Sequence, residues 1–305
     1  MQNLQELPKL IDSLNFLYIE HAIIEKAASS VVAIQKDGKI PIPIATITTL
    51  LLGPGTSITH AAIRVIAEAG CMIIWCGEYG EKYYAHGSGE TRSARNLLAQ
   101  AKCCMDERIH LQIVKAMYLM RFPDLDAAGM SLQQIRGMEG IRIRRVYQQM
   151  SEKTGVPWAG RSYRTESWDN SDDINKALSQ ANSLLYGLCH AAIVSLGYSP
   201  GLGFIHVGKQ LSFVYDIADL YKTETTIPAA FEAVQTGQND YVQLRRLCRR
   251  YFNEYDVLGR IAKDISSLFQ QYKNEEQENM YQAGDLWDGN EMSISGGVNH
   301  GDDQS

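Results

Sequence analysis

The sequence predicts an α+β fold in which a small N-terminal β-rich domain precedes a larger all-helical domain. Three observations carry that prediction. Short β-branched runs separated by turn dipeptides fill the chain before residue 90, the apolar period changes from about 2 to about 3.6 after it, and the last thirty or so residues are polar and acidic. The expected domains are 1–88 and 89–272, with 273–305 as a disordered tail.

The expected strands lie at 16–21, 31–34, 41–52, 71–75 and 82–86, bounded by Asp37-Gly38 and by Gly53-Pro54-Gly55. One helix interrupts them at 59–69, with Thr56 and Ser57 as candidate N-caps and Gly70 as its stop. Beyond His86-Gly87-Ser88-Gly89 the expected helices are 91–104, 107–121, 131–137, 140–154, 173–196, 211–222, 228–235, 240–252 and 257–272.

Apolar residues at 45% and charged residues at 21% exclude collagen-like, rod-like and wholly disordered classes. The N-terminus lacks a basic, apolar and small-residue leader pattern, and no apolar run is long enough to span a bilayer, so a cytoplasmic protein is expected. Six cysteines without a Cys-x-x-Cys pair read as reduced, mostly buried thiols. The net charge of −6 argues at first against a nucleic-acid partner. Its distribution reverses that inference, because residues 271–305 alone carry −7 while residues 91–170 carry 13 basic and 8 acidic side chains. Local potential, not net charge, governs phosphate binding.

No phosphate-binding Gly-rich loop, dinucleotide fingerprint, nucleophile elbow or zinc-protease motif occurs. What remains is a sparse set of acids and one histidine. Asp216 and Asp219 are three residues apart on an apolar helix, so their carboxylates fall within about 60° of each other. Like charges placed that way repel unless Lys222, a distant arginine or a divalent metal neutralises them. His206 lies in a Gly-flanked apolar run that reads as an extended piece entering that helix, where a satisfied core histidine is the simpler role. Glu139 stands between Gly137 and Gly140, which suggests a close backbone approach; pairing with Arg136 or Arg142 is the plain alternative. Together Glu139, His206, Asp216 and Asp219 offer carboxylate oxygens and one imidazole, a set suited to Mg²⁺ or Mn²⁺ and to phosphoryl chemistry.

Basic and aromatic residues interleave around these acids. Arg142, Arg144 and Arg145 follow Glu139; Trp158, Tyr163 and Trp168 lie beside Arg161 and Arg164; Arg245, Arg246, Arg249 and Arg250 form a helical stripe. Cations hold phosphates and aromatic faces stack on unpaired bases.

The stretches LYIEHAII, LGPGTSITHAAIRVIAEAG, LQQIRGMEGIRIRRVY and GFIHVGKQLSFVYDIADL resemble CRISPR-associated protein one, the spacer-acquisition integrase, in its subtype I-E branch. The resemblance implies a metal-dependent DNA integrase of CRISPR adaptation, in which the 3′-hydroxyl of a captured fragment attacks a phosphodiester at the repeat border. Glu139, His206 and Asp219 would be the metal ligands and Asp216 an essential catalytic neighbour. Arg136, Lys209, Arg245 and Arg249 match positions that hold DNA phosphates. Tyr163 and Trp168, with Tyr186, match aromatic positions near the substrate end, and His21 falls where a ring wedges the duplex fork. The implied partners are double-stranded DNA with 3′ overhangs, CRISPR repeat DNA, a second copy in a homodimer, and a small ferredoxin-like adaptation protein. No membrane is implied. A standalone metal-dependent endonuclease on branched or single-stranded DNA would use the same residues. The sequence departs from the family pattern at Gly53, at Ala22 and throughout the acidic tail.

Overall fold

Backbone alternation builds the N-terminal part and helical periodicity the rest of the computed structural model, which describes residues 16–28, 30–80, 82–89, 94–122, 129–161 and 172–273. Among the described residues eight strands come first: β1 (Phe16–Ile19), β2 (Ile23–Ala27), β3 (Ser30–Gln35), β4 (Gly38–Ile42), β5 (Thr49–Leu52), β6 (Ser57–Ile58), β7 (Met72–Cys76) and β8 (Tyr83–Gly87). They form two four-stranded sheets, ordered β1-β5-β7-β8 and β4-β3-β2-β6. β5 pairs in parallel with both β1 and β7, and all four of its residues are buried, as expected of an interior parallel strand. The expected 41–52 strand is therefore two strands in different sheets, and the β2 strand was not anticipated. Hydrogen bonds from Ile44 N to Ile42 O and from Thr46 N to Pro43 O turn the chain between them.

Helix α1 (His60–Glu68) begins at Thr59, whose side chain accepts from Ala62 N, one turn later than Thr56 or Ser57 would place it. Gly70, at φ 65°, follows its end. A Cβ added at Gly53 would run into the end of the Tyr18 side chain, so a larger residue there requires that ring to move.

Helices α2 (Arg95–Met105), α3 (Glu107–Arg121), α4 (Leu132–Thr154), α5 (Asp173–Ser195), α6 (Ser212–Asp219), α7 (Thr226–Gln235), α8 (Tyr241–Glu254) and α9 (Val257–Phe269) follow. The two helices expected at 131–137 and 140–154 are one continuous element. A capping box at Ser131 and Gln134 starts it and Gly155, at φ 71°, ends it. Gly137 has no heavy atom within 4 Å of an added Cβ, so no described part of the chain approaches the backbone there.

α5 is the axis of the helical region. Fifteen of its residues are buried. One side packs with Phe213, Ile217, Tyr221, Ile265 and Phe269. Ala177, Leu178, Ala181 and Leu184 meet Ile227, Phe231 and Leu247 on another. The sheet docks onto its C-terminal end, where Ala191 and Val194 meet Leu51, Met72 and Ile74, while the alternate residues Leu50, Leu52 and Ile73 face the β-region core. A buried hydrogen bond of 2.9 Å from Thr49 Oγ1 to Ser195 Oγ crosses that junction. All six cysteines are free thiols, five of them buried. No helix among the described residues is long and apolar enough to cross a membrane.

Candidate active site

The loop from residue 199 to 211 and helix α6 form one hydrogen-bonded unit around Asp216, which has no exposed surface. Its Oδ2 accepts from the amides of Phe204 (2.6 Å) and Ile205 (3.1 Å), and its Oδ1 from the His206 amide at 2.8 Å. The same Oδ1 lies 2.7 Å from His206 Nδ1. A buried carboxylate so satisfied costs little to keep charged and is costly to lose. Glycine is obligatory at position 203, because a Cβ would stand 2.3 Å from His206 O and 2.6 Å from Ser212 Cβ. The run around His206 is thus an irregular turn folded onto the helix, not an extended segment.

His206 is the exposed end of this unit, with 45% of its side chain accessible. The Asp216 carboxylate bonded to Nδ1 raises its pKa, against an opposing effect of burial. With Nδ1 committed, Nε2 is the nitrogen left to face outward, the usual arrangement for an imidazole that a second-layer carboxylate orients. Tyr215 stands edge-on to the ring at 5.8 Å between centroids and Tyr186 edge-on to Tyr215 at 5.0 Å.

Asp219 and Glu139 form the other half. Asp219 Oδ1 is 2.6 Å from Lys222 Nζ, and Lys222 also donates to the Tyr186 hydroxyl at 2.8 Å. Asp219 Oδ2 is 3.7 Å from Arg121 Nη1, and that same nitrogen pairs with Glu139 Oε1. Glu139 therefore reaches across to α3 instead of pairing with Arg136 or Arg142 along its own helix. The repulsion foreseen between Asp216 and Asp219 is relieved separately: backbone amides and His206 serve the first, Lys222 and Arg121 the second. Arg121 is 9% exposed in its side chain, and its Nε is buried without a hydrogen-bond partner among the described residues. An unmet buried donor costs about 1–3 kcal/mol.

Among the described residues no group of three or more His, Cys, Asp and Glu is drawn tightly enough to clasp an ion. Glu139 and Asp219 share one cationic nitrogen, and the field of Asp219 reaches His206. Two carboxylates already sharing a cation beside an imidazole oriented by Asp216 are a donor set that fits a hard divalent ion with open positions.

The expected DNA-contacting residues lie in different settings. Arg136 is exposed on α4, near Tyr118. Lys209 is exposed three residues past His206, its amide bonded to Ser212 Oγ at 3.0 Å. Arg245 pairs with Glu78 of the β-rich region, and Arg249 lines a cavity of about 710 Å³ between the strands and α5, α8 and α9. His21 is exposed at a φ of 50° in the turn between β1 and β2, its amide bonded to Pro54 O at 3.0 Å. Trp158 stacks on Tyr147 at 4.3 Å and borders the α5–α7–α8 core. Tyr163, Trp168 and the acidic tail lie outside the described residues. Sequence reasoning missed Arg121, which meets Glu139 from a different helix, so no spacing along one helix relates the two; a basic residue in the last turn of α3 was its only signal.

Known structures share this architecture. The crystal structure of a TtCas1–DNA complex superposes with a TM-score of 0.81 at 48% identity, over 87% of this chain and 99% of that one. A casposase bound to its integration product shares the fold, with a TM-score of 0.60 at 14% identity. A β-rich region followed by a helical one is thus the architecture of a class of CRISPR-associated proteins. The family model described as CRISPR associated protein Cas1 matches residues 16–124 and 121–251. The CRISPR-associated endonuclease Cas1 2 of Thermus thermophilus is 46% identical over 99% of this chain and 94% of its own length. The CRISPR-associated endonuclease Cas1 of Escherichia coli K12 is 38% identical over 85% of this chain and 86% of its own. The chain belongs to the Cas1 family.

Proposed function

We propose that this protein is a Mg²⁺- or Mn²⁺-dependent DNA integrase of CRISPR adaptation, which inserts captured DNA fragments into a repeat array by attack of a fragment 3′-hydroxyl on a repeat phosphodiester. The observation that carries the reading is the joining of Glu139 and Asp219 on one cation next to an imidazole held by a buried carboxylate, in a chain of the Cas1 family. Glu139, Asp219 and the outward Nε2 of His206 would hold the metal. When bound, the ion polarises the scissile phosphodiester and offsets charge in the in-line transition state.

The protein's own residues supply the remainder. Asp216 fixes the imidazole's orientation and tautomer through Nδ1. Lys222, anchored by Asp219 and Tyr186, sets a cation beside the reacting phosphate. Arg136, Lys209, Arg245 and Arg249 serve as phosphate contacts, Tyr163 and Trp168 as stacking faces near the fragment end, and His21 as the ring that wedges the duplex fork. The working assembly is cytoplasmic and joins homodimers of this chain through a small ferredoxin-like adaptation protein, with 3′-overhang duplexes and CRISPR repeat DNA as substrates.

The test mixes the chain, Mg²⁺ or Mn²⁺, a short duplex with free 3′ ends and a supercoiled repeat plasmid, with and without the small partner. Strand joining that requires both metal and partner is the expected result. Cleavage of branched or single-stranded DNA without joining would favour the endonuclease reading, which the names of the relatives support. Binding that survives chelation without turnover would leave a DNA scaffold.

A further inference from the structure

Two carboxylates and two cations make up the deep half of the site: Glu139 and Asp219 against Arg121 and Lys222. The set is neutral as it stands. A divalent ion entering between the acids would add two positive charges within a few ångströms of both cations, so one of them must withdraw.

The two cations are held unequally. Lys222 meets Asp219 Oδ1 at 2.6 Å, donates to Tyr186 at 2.8 Å and rests 4.8 Å from the centre of that ring. Arg121 makes no fork with either carboxylate. One nitrogen, Nη1, serves both acids, at 3.7 Å in the case of Asp219, while Nε lies buried with no hydrogen-bond partner among the described residues. A guanidinium is built for paired, parallel bonds to a carboxylate, and this one forgoes them. It occupies the place between Glu139 Oε1 and Asp219 Oδ2 where a shared ion would lie. Phe122 offers it an adjoining face, with Arg121 Cζ 5.4 Å from the ring centre.

We propose that Arg121 is the resident counter-ion of the Glu139–Asp219 pair, holding the two carboxylates together in the ion-free protein and giving up its place when the divalent ion binds. The inference rests on the metal reading above and assigns Arg121 a positioning role, acting through the two acids. In this scheme the guanidinium competes with the ion for the same two oxygens.

Mn²⁺ binding to the full ion-free chain, followed by electron paramagnetic resonance without DNA, tests the exchange. R121Q removes the competitor and is expected to bind Mn²⁺ about tenfold more tightly than the parent, while E139Q loses the site in either background. Unchanged or weaker binding by R121Q would overturn the exchange while leaving the metal reading intact. No saturable Mn²⁺ site in the parent or in R121Q would remove the metal reading, and the exchange with it. A second measurement follows the parent protein itself and uses a variant only for assignment. The Arg121 Nε–H resonance of the ¹⁵N-arginine-labelled parent, assigned by its absence in R121K, is expected to shift as Mg²⁺ is added and to level off when the site is full. A resonance that stays in place through saturation would show that the guanidinium does not move.

Discussion

The two halves of the site are built on opposite principles. Asp216 and His206 belong to a loop-and-helix unit in which the carboxylate is wholly buried and four donors converge on it. Glu139 and Asp219 project from separate elements, remain partly accessible, and are matched by the side-chain cations Arg121 and Lys222. The first half carries a histidine rigidly and the second keeps acids ready to change partners. A catalytic centre needs both, because a fixed frame gives orientation and an exchangeable one admits a ligand.

The sharpest way to break this comparison is to alter one carboxylate in each half without altering shape. D216N replaces four acceptor sites by a single carbonyl and turns an NH₂ toward donors, so a loss of about 3 kcal/mol and a fall in melting temperature of several degrees are expected. E139Q should abolish strand joining with a melting temperature close to the parent's. Equal thermal losses in the two variants would show that the halves do not differ.

Two histidines extend the contrast to pH. His206 gains a carboxylate and its pKa rises, so the stability it contributes is present below its unfolded pKa and disappears as pH climbs through its folded value. His190 on α5, stacked 3.7 Å from Tyr83, is pushed down to about 4 by burial and then by His86. The unfolded chain therefore binds the extra proton first, and His190 withdraws stability as pH falls from about 6.5 toward 4. H190N is expected to flatten the melting temperature across that window by a few degrees, while leaving its slope above pH 7 unchanged.

R245A should weaken binding to all DNA sequences alike and lower the salt slope by about 1, as loss of one phosphate contact does. An unchanged slope would mean that Arg245 has a structural role, as in its pair with Glu78, and holds no phosphate. The smallest effect concerns Gly137. With open space around it in a helix interior, G137A is expected to stabilise the free protein by about 0.5–1 kcal/mol. A simultaneous loss of DNA affinity would reveal that a bound strand needs the missing side chain.

Much of this was legible in the residues. The change of period located the switch from strands to helices, β8 ending at Gly87 and α2 beginning at Arg95. Local chemistry announced the stop at Gly70 and that the cysteines stay out of disulfides. Where the reading failed, a longer-range term overrode a local one. Glycines 137 and 140 looked like a break, but the Ser131 capping box and packing of Ile135 carry α4 straight through them. The apolar run at 41–52 looked like one strand, but Thr49–Leu52 had a different sheet to join. Asp216, His206 and Asp219 were readable because they share thirteen or so neighbouring positions. Arg121 was not, because its meeting with Glu139 depends on how α3 crosses α4.

Gln100 on α2 ties the His206 loop from behind. Its Nε2 donates to Ser199 O (3.0 Å) and Leu202 O (2.9 Å), and its Oε1 accepts from Ser199 N at 2.8 Å. Every bond it makes needs a carboxamide. Hydrolytic deamidation of that one side chain would set a new negative charge against two carbonyl oxygens, a lesion of one mass unit. Q100E makes that same change, and is expected to lower activity by loosening this loop, at a position outside the reacting atoms.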